Sequence, residues 1–110
     1  MARVSSVAEL FEKAHEIFKV GDADGLDATI QFDCTGAEAG TYHVVIKDKK
    51  LDVANGPAEN PTMTITMDSA DMVQMVNGEA NGMALFMMGK MKIAGDMQLA
   101  LRLQQLLGLN

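Results

Sequence analysis

Few side chains in this sequence carry reactive chemistry. Cys34 is the single cysteine, and His15 and His43 are the two histidines. A cysteine nucleophile needs a base or a positive neighbour to ionise it. Cys34 alternates with Ile30 and Phe32 in "ATIQFDC", the setting of a small buried hydrophobe. Adjacent strands could still bring His43 beside it, so a Cys34–His43 pair stays open as a weak enzymatic alternative. Neither histidine has a second ligand at metal-binding spacing. The acidic stretch "DADGLDATIQFD" fails as a calcium loop, because Leu26, Asp27 and Asp33 stand where a ligand, a glycine and a bidentate glutamate belong. "GMALFMMGK" fails as a phosphate loop, with Gly82 and Gly89 too far apart and Met91 in the magnesium-binding position. The expectation is a protein without a catalytic centre, a metal or a cofactor.

What the chain has in quantity is methionine. Ten are present, nine of them between Met63 and Met97, against one tyrosine and no tryptophan. Thioethers suit copper(I), and Met83, Met87 and Met91 stand four apart. Gly89 should end the helix between the last two, however, and no histidine or cysteine lies near. Each methionine taken alone reads as a flexible gap-filler. As a set, Met72, Met75, Met83, Met87 and Met91 fall on elements expected to roof a sheet. Polarizable, unbranched side chains there let a pocket accept apolar ligands of varied shape. A lipid-sized cavity of roughly 500 Å³, left empty and rigid, costs about 12 kcal/mol at about 24 cal/mol per Å³. That is comparable with the whole stability of a domain. Such a pocket must hold a ligand or be closed by soft side chains and mobile helices.

The elements that position these residues follow from periodicity. Val7, Leu10, Phe11, Ala14 and Phe18 recur at helical spacing and predict a helix over Ser6–Lys19, ended by Gly21. Three alternating segments, "DATIQFDCTG", "TYHVVIK" and "KLDVA", joined by short turn-rich links, predict an antiparallel meander. "TMTITMD" predicts a fourth, half-buried strand. Asp68 or Ser69 then caps a helix through "DMVQMV", stopped by Gly78. Asn81 opens a short second helix, "GMALFMM", closed by Gly89. A fifth strand, "KMKIAG", leads to Asp96, which caps a last helix over Met97–Leu107, apolar on more sides than one sheet face requires. The order specifies an α+β fold, with helices packed on one face of the sheet.

Composition excludes several classes of function. The chain of 110 residues has a formal net charge of −6 and nine scattered Lys and Arg, so a phosphate backbone is not its partner and no nucleic acid is expected. Lys47, Lys49 and Lys50, and the pair Lys90 and Lys92, leave room for weak attraction to anionic headgroups and transient contact with a membrane surface. No apolar run reaches bilayer length. "MARVSSVAELFEK" lacks the apolar core of a signal peptide. With one cysteine, these features predict a cytoplasmic, reducing compartment. No repeat or linker breaks the sequence, so residues 1–110 are read as one domain.

Three blocks carry a resemblance: "ATIQFDCTG", "GTYHVVIKDKKLDV" and "PTMTITMDSADMVQMVNGEANGMALFMMGKMKIAGDMQLALRLQQLL", the last containing Gly89–Lys90–Met91–Lys92–Ile93–Ala94–Gly95–Asp96. On these residues the chain resembles the sterol carrier protein 2 family along nearly its full length. The resemblance implies a five-stranded, mostly antiparallel sheet with helices on one face and an apolar tunnel between them. It implies a non-catalytic carrier of an apolar lipid, whether sterol, fatty acid, fatty acyl-CoA or phospholipid. The chain ends in "LLGLN" and not in a Ser-Lys-Leu-type tripeptide, which predicts a stand-alone, microbial-type member outside peroxisomes. Alternation and helical spacing assign the ligand-binding lining to Phe32, Ile65, Met67, Met72, Met75, Val76, Met83, Phe86, Met87, Met91, Ile93, Leu99, Leu103 and Leu106. Two other roles stay open: an interaction module, as monomer or homodimer, built on the last helix, and an accessory that presents a lipid to a partner enzyme.

Overall fold

Alternation along the middle of the chain becomes one sheet. The computed structural model of the chain describes residues 3–17, 27–99 and 102. The strands are β1 (Ala28–Thr35), β2 (Gly40–Lys47), β3 (Lys50–Asn55), β4 (Met63–Asp68) and β5 (Met91–Gly95), in the order β3-β2-β1-β4-β5. The first three form the antiparallel meander that the sequence predicts. The link between β2 and β3 is a tight turn with Asp48 and Lys49 at φ 52° and 61°. Left-handed conformation at both central residues gives the mirror-image turn whose twist matches a hairpin. The fourth strand lies parallel to β1, and β5 is antiparallel to β4. Pairing between β1 and β4 is the sheet's one parallel ladder among the described residues.

Register fixes which side chains share a face. Phe32 stands beside Tyr42 on one side and Ile65 on the other, and Ile65 stands beside Ile93. Cys34 stands beside Met67, which stands beside Met91. All of these point to the same face, where Ile30, Val44, Ile46 and Met63 are also buried. The opposite face carries Thr29, Gln31, Asp33, His43, Thr64 and Thr66, all half-buried. The core is therefore one-sided.

The helices are α1 (Val7–Glu12), α2 (Ala14–Ile17), α3 (Ser69–Val76) and α4 (Gly82–Met87). The sequence predicts one helix over Ser6–Lys19, and the structure divides it at Lys13, which leaves helical geometry at φ −99° and ψ 18°. A tightened bond from the Glu16 N–H to the Lys13 carbonyl follows at 2.9 Å. This bend carries His15 to β3, where Nε2 donates to the Leu51 carbonyl at 2.7 Å. No glycine or proline marks the break; a tertiary hydrogen bond and burial of Ala14 accompany it. Phe18 and Gly21 lie outside the described residues.

Hydrogen bonds and ring packing hold the start of the chain together and against the rest. Ser6 caps α1 by accepting from the Glu9 N–H. The Glu38 carboxylate accepts from the Val7 N–H at 3.1 Å. The Asn77 amide, just past α3, grips Val4 on both sides, accepting from its N–H at 2.8 Å and donating to its carbonyl at 2.7 Å. Phe11 on α1 then stacks on Tyr42 with centroids 4.2 Å apart, and meets Phe32 edge-on at 5.4 Å.

Candidate functional site

The side of the molecule built by β4, α3, α4 and β5 is where the methionines gather. On β4, Met63, Ile65 and Met67 are buried while the threonines between them face the other way. Asp68 ends the strand and caps α3, accepting from the Ala70 N–H at 2.8 Å. Polar Asp71 and Gln74 leave α3 one apolar face, and Met72 and Met75 on it are buried. The Cys34 thiol lies under this face and donates to the Met72 sulfur at 3.7 Å.

The next helix is placed differently. Asn81 caps it, accepting from the Ala84 N–H at 3.0 Å, and Gly89 at φ 76° closes it. Only Gly82 and Leu85 are buried in it. The absence of a Cβ at Gly82 lets the backbone of α4 rest against two thioethers: an added Cβ would meet the Met75 sulfur at 3.2 Å and the Met91 methyl at 3.9 Å. The remaining large side chains turn outward, with Met83 45%, Phe86 38%, Met87 78% and Met88 61% exposed.

The residues assigned from the sequence thus fall into three groups. Phe32, Ile65, Met67, Met72, Met75, Met91 and Leu99 are buried together in one apolar cluster, with Val76 and Ile93 half-buried against it. Met83, Phe86 and Met87 stand at the surface beside that cluster. Leu103 and Leu106 lie outside the described residues, as does most of the helix expected over Met97–Leu107. Its start is present: residues 97–99 are helical, and the Asp96 carboxylate accepts from the Gln98 N–H at 2.9 Å. Sequence reasoning passed over Leu85, the inward anchor of α4, and Gly82, on which that helix seats. An all-apolar segment gives no signal of which side faces in.

The Cys34–His43 pairing does not exist. Cys34 pairs with Gly40 and His43 with Gln31, which places the two side chains on opposite faces of the sheet. His43 Nδ1 donates to the Gly56 carbonyl at 2.8 Å. Burial first, and then the carboxylates of Asp33, Glu38 and Asp68, push the Cys34 thiol up to about 11, so it is protonated at neutral pH. Among the described residues no group of three His, Cys, Asp or Glu side chains is placed to hold a metal ion. No described helix is long and apolar enough to cross a membrane.

An open, mostly antiparallel five-stranded sheet with helices on its buried face defines an α+β fold of the sterol-carrier type. The chain belongs to the SCP-2 sterol transfer family, whose model matches residues 9–108. It is 32% identical over 105 residues to the hydroxysteroid dehydrogenase-like protein 2 of Xenopus tropicalis, covering 94% of this chain and 25% of that protein. The chain therefore spans about a quarter of the length of that curated relative. The solution structure of palmitated SCP2L2 from Aedes aegypti superposes with a TM-score of 0.76 at 22% identity, over 94% of this chain and 95% of that one. The sterol carrier protein domain 2 of Helicoverpa armigera does so with a TM-score of 0.66 at 26% identity, over 91% and 86%. Family membership supports a lipid-binding or lipid-transfer role.

Proposed function

We propose that the chain binds one apolar lipid between the buried face of the sheet and helices α3 and α4, and transfers it without chemistry of its own. The observation that carries this reading is the seating of α4. Its buried residues are one leucine and one glycine, the glycine resting on the soft side chains of Met75 and Met91. Displacing those thioethers opens a tunnel between sheet and helices at small cost, because methionine changes rotamer readily. The lining is the set of residues named from the sequence, with Met83, Phe86 and Met87 forming the mouth and folding inward on an acyl chain. Leu103 and Leu106 join it by their spacing from Leu99. Burial of ligand surface supplies the affinity, at roughly 25 cal/mol per Å² before the cost of association.

The ligand class is a fatty acid, fatty acyl-CoA, phospholipid or sterol, carried by one domain over residues 1–110. The single, buried thiol suits a reducing, cytoplasmic compartment. Native mass spectrometry of freshly purified protein, with extraction of bound material, tests the proposal. A lipid-mass adduct, or saturable uptake of a fluorescent fatty acid, is expected. Protein that is always empty and takes up no fatty acid would overturn it. One observation favours a variant of this role. The Xenopus relative carries its matching stretch within a chain about four times as long, so the domain can serve as a module that presents lipid to a partner enzyme. Co-purification with an oxidoreductase that gains activity on lipid-loaded protein distinguishes that variant.

A further inference from the structure

The outward face of α4 is unlike any other surface of the described residues. Met83, Phe86 and Met87 stand at i, i+3 and i+4, so they share one side of the helix, and Met88, its C-cap residue, is exposed at the end of the helix. Soluble helices put such a stripe inward, but here Leu85 and Gly82 take the inward positions. The charge along this stretch of the chain is equally one-sided. Between Glu79 and Asp96 the only charged side chains are Lys90 and Lys92, in a chain whose net charge is −6. Both lysines are exposed, at the start of the edge strand that follows α4.

We propose that this face docks on an anionic bilayer, with Met83, Phe86, Met87 and Met88 entering the headgroup–acyl boundary and Lys90 and Lys92 pairing with acidic headgroups. Four features select that occupant. The patch is the exposed outer side of one short helix and carries no polar side chain. Flexible methionines suit a fluid acceptor. Arginine, tyrosine and tryptophan, which anchor most protein interfaces, are absent from it. A second copy brought up face to face would set four lysines together. Apolar insertion combined with nearby basic charge is the pattern of reversible interfacial binding. The inference stands on the outer face of α4 and does not require the internal pocket proposed above.

Vesicle sedimentation tests it, comparing phosphatidylcholine vesicles with and without phosphatidylserine. Wild-type protein is expected to bind the anionic vesicles and to release in high salt. Lys90→Glu/Lys92→Glu should weaken that binding roughly tenfold or more, two lysines acting near a charged surface, and Met88→Ser severalfold. All three positions are exposed, so an unchanged thermal midpoint confirms the fold. Wild-type protein that ignores anionic vesicles, or a charge-reversed variant that binds like wild type, overturns the proposal. So does light scattering that finds a wild-type dimer abolished by Met88→Ser, which would assign the face to a second copy. Uptake of a fluorescent fatty acid in vesicle-free solution is measured in parallel. Failure there with vesicle binding intact removes the pocket and leaves the docking face standing.

Discussion

Helices α3 and α4 are neighbours in the chain and carry two methionines each, yet they treat them oppositely. In α3, Met72 and Met75 are buried, and Asp71 and Gln74 mark the outer side. In α4, Met83 and Met87 are exposed, and no polar side chain marks either side. The supports differ as well. The first helix is tied at both ends, by the Ser69 hydroxyl accepting from the Glu38 N–H at 3.2 Å and by Asn77 gripping Val4. The second rests on Leu85, on Gly82 and on its own cap. One helix is tied into the core and the other only seated on it. A methionine count alone does not separate structural from functional use of that residue; what the helix does with its polar positions does.

The contrast can be broken most directly by truncation. Met72→Ala should cost about 3 kcal/mol, as buried Leu or Met to Ala changes do, while Met87→Ala should stay within about 0.5 kcal/mol. Urea unfolding of the two variants measures this, and equal losses would end the distinction. Next in size is the alkaline response under α3. The Cys34 thiol is held protonated under Met72 to about 11, while in the unfolded chain it ionises near its ordinary value. Below that ordinary value both states are protonated and stability is complete. As pH rises from there towards 11 the unfolded state loses its proton first, so stability falls. Cys34→Ala should flatten this decline, and no variant of α4 should.

Smaller effects sharpen the picture. Asp68→Ala and Asn81→Ala each remove a helix cap, a change of about 1 kcal/mol. Loss of the first should lower the global unfolding midpoint. Loss of the second should leave the midpoint nearly unchanged and instead speed amide exchange within α4, because that helix opens without unfolding the sheet. Met75→Leu is expected to change ligand range more than stability. A volume-conserving swap costs less than about 1.5 kcal/mol, but a branched, stiffer side chain under α4 should narrow the range of acyl chains accepted. Competition between straight and branched fatty acids reads that range.

Most of the sheet was legible in advance because alternation is a local signal. Met63, Ile65 and Met67 against three threonines leave one choice of face. The caps Asn81 and Asp96 were legible for the same reason, each followed by its helix, while for α3 the sequence left Asp68 and Ser69 open and the structure selects Asp68. The break at Lys13 was not, since it depends on His15 reaching a carbonyl 36 residues away. Nor was the parallel pairing of β1 with β4, which no turn between them specifies. Within the candidate site, α3 declared its inward side through Asp71 and Gln74. The side that α4 turns inward follows from the fit of Gly82 on Met75 and Met91, a contact with no trace in the periodicity of "GMALFM".

The double hydrogen bond between Asn77 and Val4 offers a handle for instrumentation. It moors the backbone beside Arg3 to the corner where α3 gives way to α4. A dye or a short fusion attached ahead of Arg3 is therefore delivered to that corner without any substitution in the apolar cluster. Its emission would report on any movement of α4, and the same attachment point would let a surface-immobilised copy present α4 at a defined distance from the support.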